Sequence, residues 1–463
     1  MKINIKHIAI TALCVTLAYS AVNAQSIGNK EIEELQGSIK NDSYTAAIQN
    51  ILTSNKNIKS LALNHKVNGA TDNFFKYKVD VKGITDQQSS GRCWMFSSMN
   101  DLRPAVIKKY NLDEFDFSHN YNYFWDILEK SNLFLENIIK TVKTPMDDRE
   151  VTYYFSSPVS DGGVWSSFYN LAKKYGVVPA SVMPETEQSD NTSQMMSILN
   201  ERLRKGGYDI RAIAANKGKT ADIEREKMSI LKDVYRVLAI CLGEPPTEFT
   251  WRFQDKDKKI QTIKSTPIDF FNGIVGTDYN TDTYVMIMND PTRDYYKMYE
   301  IENARNIMDG INWTYLNLPN EDIKKAVLAS IKANESVVAS CDVGKQSNTK
   351  NGLLDTGIYD YASLLGINLN MDKKARIVTR QSGSSHAMLI VACDTDNNDI
   401  PTKWEFENSW GTDAGNKGYL TFTDNWFNEY MFRFVINKKY LDGKTIGCLG
   451  QKHIMLPPWD YMN

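Results

Sequence analysis

The sequence predicts an α+β protein whose helices come first and whose strands come later. Three observations carry this. Apolar residues recur at helical spacing through most of the chain up to Leu242. The run Gly243-Glu244-Pro245-Pro246 then breaks the pattern. From about Phe249 onward, alternating segments and turn residues become frequent.

Taken in order, the first 24 residues stand apart. Lys2 and Lys6 give a positive start, Ile8 to Leu17 form a mostly apolar run, and Val22-Asn23-Ala24 puts short side chains before Gln25. That is the pattern of a secretory signal peptide at 1–24, cleaved on export to a periplasm or beyond the cell. The apolar run is too short to cross a bilayer of about 30 Å. Residues 25–70 read as an N-terminal helical arm, with Ile32, Leu35, Ile39, Ile48, Ile51 and Leu52 at roughly helical spacing. The remainder, 71–463, opens with a short strand at Tyr77 to Val81. Ser89-Ser90-Gly91 gives a turn before a helix through Leu102, which Pro104 is expected to end. A long helix is expected around Tyr121 to Lys140, a turn at Asp161-Gly162-Gly163, and a helix over Trp165 to Tyr175 closed by Gly176. From Gln194 to Leu242 the pattern is helical and highly charged, with a loop expected near Gly206-Gly207. Ala387 to Ala392, Lys403 to Glu407 and Tyr419 to Thr423 read as strands.

Composition bounds the function. The 463 residues carry a formal net charge of −2, and loss of Lys2 and Lys6 leaves 52 basic against 56 acidic residues, a net of −4. No block of like charges stands out, so nucleic acid is not an expected partner. No further segment approaches 18 uninterrupted apolar residues, so stable membrane insertion is not expected. After the signal segment five cysteines remain, Cys93, Cys241, Cys341, Cys393 and Cys448. The odd count leaves at least one free thiol, and their wide spacing suggests neither a disulfide framework nor a zinc site. No metal and no cofactor are expected; there is no H-E-x-x-H, no phosphate-cradling loop and no G-x-S-x-G.

Three motifs carry chemistry. Gln87-Gln88-Ser89-Ser90-Gly91-Arg92-Cys93-Trp94 sets Cys93 at the start of its expected helix, where the helix dipole favours a thiolate. Gly383-Ser384-Ser385-His386-Ala387 opens an apolar strand with a histidine able to act as general base and acid. Beyond the leader there are four histidines, His65, His119, His386 and His453, so few bases compete. In Trp404-Glu405-Phe406-Glu407-Asn408-Ser409-Trp410-Gly411 the strand ends at Asn408, whose amide can accept the ring N–H of the base while Trp410 shields that bond. Taken alone, each has a plain structural reading: a buried cysteine, a strand-start histidine, a turn.

Together they resemble the papain superfamily: a glutamine six residues before Cys-Trp, then His-Ala, then Asn-Ser-Trp-Gly, in that order. The resemblance implies Cys93 as nucleophile, His386 as base, Asn408 as its orienting residue, and Gln87 with the Cys93 backbone N–H as oxyanion hole. It implies a papain-like fold, with a helical domain, a β-barrel-like domain and a cleft between them. The interval from Cys93 to His386 is 293 residues, against roughly 130–150 in papain-like enzymes. That surplus, with Phe124-Trp125-Asp126, Lys174-Tyr175-Gly176-Val177, Cys241 to Pro246, Cys341 to Lys345 and Leu456 to Asp460, is similar to the bleomycin hydrolase and aminopeptidase C branch. The branch implies a helical hook-like insertion, placed at about 195–245, a C-terminal arm at about 454–463, and a homo-hexamer enclosing its active sites. It implies an aminopeptidase acting on unfolded peptides through an acyl-enzyme on Cys93. Substrate-binding positions carried over are Asp161, Gly162 and Gly163, Trp410, and Asn463 as the anchor for a substrate amino group. The tail after Asp460 reads about three residues short, on the order of 10 Å of extended chain. This opens an oligopeptide-releasing or endo-acting alternative. A small-molecule amide hydrolase and a non-catalytic channel scaffold are the other readings.

Overall fold

The computed structural model describes residues 26–40, 42–69, 72–276 and 279–463. The expected signal segment, 1–24, lies outside the described residues. The chain divides into two compact units, 1–61 and 62–463. In the first, helices run over Asn29–Gly37, Ser43–Ser54 and Ile58–Leu61, and no residue of these helices is buried. Asp42 caps the second of them by accepting Thr45 N–H at 2.7 Å.

The larger unit begins with a helical layer. Cys93–Tyr110 is followed by His119–Lys140, which Ser118 caps, and by Trp165–Tyr175, closed by Gly176 at φ +75°. A further helix at Arg149–Ser156 had no clear signal in the sequence. Two expectations fail here for the same reason. Pro104 does not end its helix, which continues to Tyr110 because Val106 and Ile107 extend the buried face, and the break falls at Asn111 in the left-handed region. Likewise Gly206 and Gly207 sit inside the continuous helix Ser193–Ala215, and the loop lies at 216–219 instead. A Cβ on Gly206 would meet Ile230 Cδ1 at 2.5 Å, and one on Gly207 would meet Phe134 Cζ at 3.1 Å. These glycines let helices approach closely; they do not turn the chain. Ile230 belongs to Thr220–Leu242, which returns antiparallel along Ser193–Ala215 with Arg202 paired to Asp233.

The second layer is a twelve-stranded sheet, mostly antiparallel. Its centre is His386–Thr395, flanked by Val337–Cys341 and Pro401–Glu407. Beyond Val337–Cys341 come Met431–Asn437 and Tyr284–Met288; beyond Pro401–Glu407 comes Tyr419–Thr423. The expected strand at Tyr77 to Val81 shortens to Tyr77–Lys78, pairing with Cys393 and Ala392. The apolar run Met388 to Cys393 has a direct cause. Ala387, Leu389 and Val391 face one core, shared with the helical layer, while Met388, Ile390 and Cys393 face a second core under the helix Asn320–Lys332. A strand buried on both faces has no polar side to alternate with.

Candidate active site

The junction of helical layer and sheet holds a cavity of about 1140 Å³, lined from the helical side by Gln87, Cys93 and Gly162 and from the sheet side by His386, Ala387 and Trp410. Of the sequence-predicted residues, Gln87, Cys93, Gly162, Gly163, His386, Trp410 and Asn463 line it, and Asn408 stands behind His386. Cys93 begins its helix, and its Sγ accepts the Ala387 backbone N–H at 3.4 Å. The next residue back, His386, places Nε2 2.8 Å from Asn408 Oδ1. Asn408 Oδ1 also accepts Ser409 N–H at 2.8 Å, so it is the acceptor and His386 Nε2 carries the hydrogen. That leaves Nδ1 as the ring's basic nitrogen. Trp410 stacks on the imidazole, with ring centroids 4.6 Å apart and planes 27° apart. Gln87 is fixed at both ends of its amide: Nε2 donates to Ser90 O at 2.6 Å and Oε1 accepts from Ser409 Oγ at 2.7 Å. An amide nitrogen has two hydrogens, so one remains for the cavity.

Burial sets the electrostatics. Desolvation pushes the Cys93 thiol up, partly offset by the backbone N–H groups of Ala387 and Trp94. Desolvation lowers His386 to about 4, partly offset by the Asn408 hydrogen bond. Each charge is disfavoured singly. Transfer of the thiol proton to Nδ1 creates both charges at once, and their mutual attraction in a dry site then works for the pair.

The loop before Cys93 is bolted from behind. Arg92 is fully buried and donates to Glu185 at 2.8 Å, to Ser189 O at 2.7 Å and to Ser90 Oγ at 3.0 Å. Asp161, expected beside substrate, does not line the cavity. Its carboxylate accepts Gly91 N–H at 2.7 Å and Thr192 Oγ at 2.6 Å, and its backbone carbonyl accepts Trp94 Nε1 at 2.9 Å. It positions the nucleophile's turn. The two glycines that follow differ. A Cβ on Gly163 would lie 2.6 Å from the Trp94 ring, whereas one on Gly162 has only Ser160 Oγ at 3.9 Å. Gly162 is therefore the one with open space for an extended chain. Asn463 lines the same cavity, its side chain donating to Tyr153 Oη at 3.0 Å and to Pro458 O at 2.7 Å.

Two cavity residues carried no recognisable sequence signal. Lys130 donates to Asp126 at 2.6 Å, to Gly162 O at 2.6 Å and to Ser160 O at 2.9 Å. Arg433 projects from the strand Met431–Asn437 and donates to Met462 O. No group of three or more potential metal ligands occurs among the described residues.

Comparison with known proteins places this geometry. The sequence model of the Peptidase C1-like family matches residues 26–463. Bleomycin hydrolase of Mus musculus is 36% identical over 451 residues, covering 95% of this chain and 99% of the relative. Aminopeptidase C of Lactobacillus delbrueckii subsp. lactis is 39% identical over 398 residues, covering 84% of this chain and 88% of the relative. The crystal structure of PepW from Lactobacillus rhamnosis HN001 superposes with a TM-score of 0.90 at 36% identity, over 94% of this chain and 98% of that one.

Proposed function

Because the chain belongs to the Peptidase C1-like family, and is thereby a cysteine-type peptidase, we propose that it is an aminopeptidase that hydrolyses unfolded peptides through an acyl-enzyme on Cys93. The observation that carries this is the chain of contacts Ala387 N–H to Cys93 Sγ and His386 Nε2 to Asn408 Oδ1. In this reading His386 Nδ1 takes the Cys93 proton and the thiolate attacks the scissile carbonyl carbon. The oxyanion is met by the free Gln87 Nε2–H and the Cys93 backbone N–H. The leaving amine takes the proton back from His386, and a water deprotonated by the same ring then releases the acyl group. Asn408 holds the imidazole in the tautomer that this sequence of transfers needs.

The aminopeptidase preference is supported by relatives bearing that name. It is also supported by Pro458, Trp459, Asp460 and Asn463 of the C-terminal segment, which line the cavity beside Cys93 and His386. A small-molecule amide hydrolase is the second reading, favoured by the relatives named bleomycin hydrolase; it uses the same chemistry. Homo-hexamer assembly, a hook-like role for the helical pair 193–242, and export after cleavage behind Ala24 belong to the same proposal. Native mass spectrometry and N-terminal sequencing of exported protein check assembly and cleavage.

Digestion of defined peptide ladders by wild type and Cys93→Ala tests the reading. Stepwise loss of amino-terminal residues by wild type alone is expected. Activity retained in Cys93→Ala removes Cys93 as nucleophile, and internal cleavage removes the aminopeptidase assignment.

A further inference from the structure

The helix that begins at Cys93 makes three polar ties within a single turn. Asn100 donates to Thr85 Oγ1 at 2.9 Å, in the loop that leads to Gln87. Asp101 accepts Ser336 Oγ at 2.5 Å, just before the strand Val337–Cys341, whose Cys341 pairs with His386. Arg103 donates to Glu407 at 2.6 Å, the residue before Asn408, and to Gly83 O at 2.9 Å. One turn of the nucleophile's helix therefore reaches the segments that carry Gln87, His386 and Asn408.

The tie from Arg103 to Glu407 is the costly one. Their side chains are 2% and 0% exposed. Arg103 Nε and Glu407 Oε2 are buried without a partner. Desolvation pushes the Glu407 carboxyl up to about 7, against the pull of Arg103. The other acid on Arg103, Asp116 at 3.1 Å, is 52% exposed and screened by water. A buried ion pair of this kind is often no more stabilising than apolar side chains of similar volume. What it provides is placement. A short charge-assisted contact has little freedom in distance or direction, and this one joins the helix of Cys93 to the last residue of the strand Pro401–Glu407. The neighbouring acid on that strand makes the contrast. Glu405, also buried, pairs at 2.6 Å with Lys78 of the strand Tyr77–Lys78, which carries no member of the site.

We infer that Arg103 and Glu407 are positioning residues of the hydrolysis: their pair sets Asn408, and through it His386, at working distance from Cys93. The inference rests on the peptidase reading. A misplacement of about 1 Å costs up to about a hundredfold in rate. Proton transfer from Cys93 to His386 suffers first, because the two charges support each other only when close.

Two double variants test it: Arg103→Met/Glu407→Leu and, as matched control, Lys78→Met/Glu405→Leu. Each exchanges one ion pair for apolar side chains. Peptide turnover, alkylation of Cys93 by iodoacetamide across pH, and thermal melts are measured on both. The first variant is expected to lose at least about tenfold in kcat with KM within about twofold of wild type. Its alkylation profile should move to higher pH, because a thiolate with less support from the imidazolium forms later. The control is expected to keep the wild-type kcat and alkylation profile, whatever its melting temperature. Glu407→Asp keeps the charge but shortens the side chain by one methylene, and stands in if the double variant does not fold; its kcat should fall at least about threefold. A folded Arg103→Met/Glu407→Leu or Glu407→Asp enzyme with wild-type kcat and alkylation profile overturns the inference, and so do equal losses in the two double variants. Wild type that turns over no peptide overturns the peptidase reading; alkylation needs no substrate and still decides what the ion pair does.

Discussion

Asn408→Ala removes the two hydrogen bonds that its amide oxygen accepts, from His386 Nε2–H and from the Ser409 backbone N–H. In the folded protein the Asn408 amide is 1% exposed and its oxygen lies 2.8 Å from His386 Nε2. Without it, an imidazole N–H sits in a place that water does not reach. A buried donor left without its acceptor costs about 1–3 kcal/mol. The cost is largest when the ring is charged, which in the proposed mechanism is when Cys93 has given up its proton. A tenfold change in rate corresponds to about 1.4 kcal/mol, so kcat should fall roughly 5- to 150-fold. KM should change little, because the amide points at the base and not into the cavity. Trp410 still stacks on the ring, which keeps the loss below that of removing the nucleophile. Steady-state kinetics on an aminoacyl amide, with a thermal melt in parallel, measures this. A companion variant, Asn408→Asp, sets a negative charge beside Nε2. Burial holds His386 at about 4, and the added charge favours the imidazolium, so the acidic limb of kcat/KM should move to higher pH. A folded Asn408→Ala enzyme with kcat within about twofold of wild type refutes the assigned role, since the oriented tautomer is then not what limits proton transfer.

Gly163→Ala drives a methyl to 2.6 Å from the Trp94 ring; an overpacking cost of about 1–3 kcal/mol is expected as a lowered melting temperature. Lys130→Met leaves the fully buried Asp126 without its cation, an expected loss of about 3–5 kcal/mol, and frees the Gly162 carbonyl. KM should rise with that carbonyl released, and adding Asp126→Asn should recover the melting temperature but not KM, because it does not restore the Lys130 bond to Gly162. Lys373 is buried against Asn289 Oδ1 and Met431 O at 2.6 Å each, and desolvation lowers it to about 7. The unfolded chain then binds more protons than the folded one between about pH 7 and 10. Stability should rise through that window by up to about 1.4 kcal/mol per pH unit. Lys373→Met should flatten the curve, and an unchanged pH dependence in the variant counts against the buried amine.

What the sequence revealed depended on where each signal's physical cause lay. Trp165–Tyr175 is legible because its closing Gly176 is local, a left-handed residue that ends the helix whatever surrounds it. Pro104 and Gly206-Gly207 mislead because their usual local meaning is overridden by packing: a buried face carries the helix past the proline, and Ile230 and Phe134 need the space that the glycines leave. The strand Met431–Asn437 hides because both its faces are buried and Arg433 interrupts its apolar run. At the site, Gln87, Cys93, His386 and Asn408 are legible by their order and neighbours. Lys130 and Arg433 are not, because an isolated basic residue in a sequence has no sign of what it faces. Asp161 was legible as a member of the site but not in its task, since its partners Gly91 and Thr192 lie 70 and 31 residues away.

Burial at the nucleophile also decides in what form its charges appear. Desolvation at the junction between helix and sheet penalises either charge held alone, so the Cys93 and His386 charges are best formed together, within a pair positioned by Ala387 and Asn408. Catalysis in this cavity therefore depends on forming the two charges as a pair where the helix Cys93–Tyr110 meets the strand His386–Thr395.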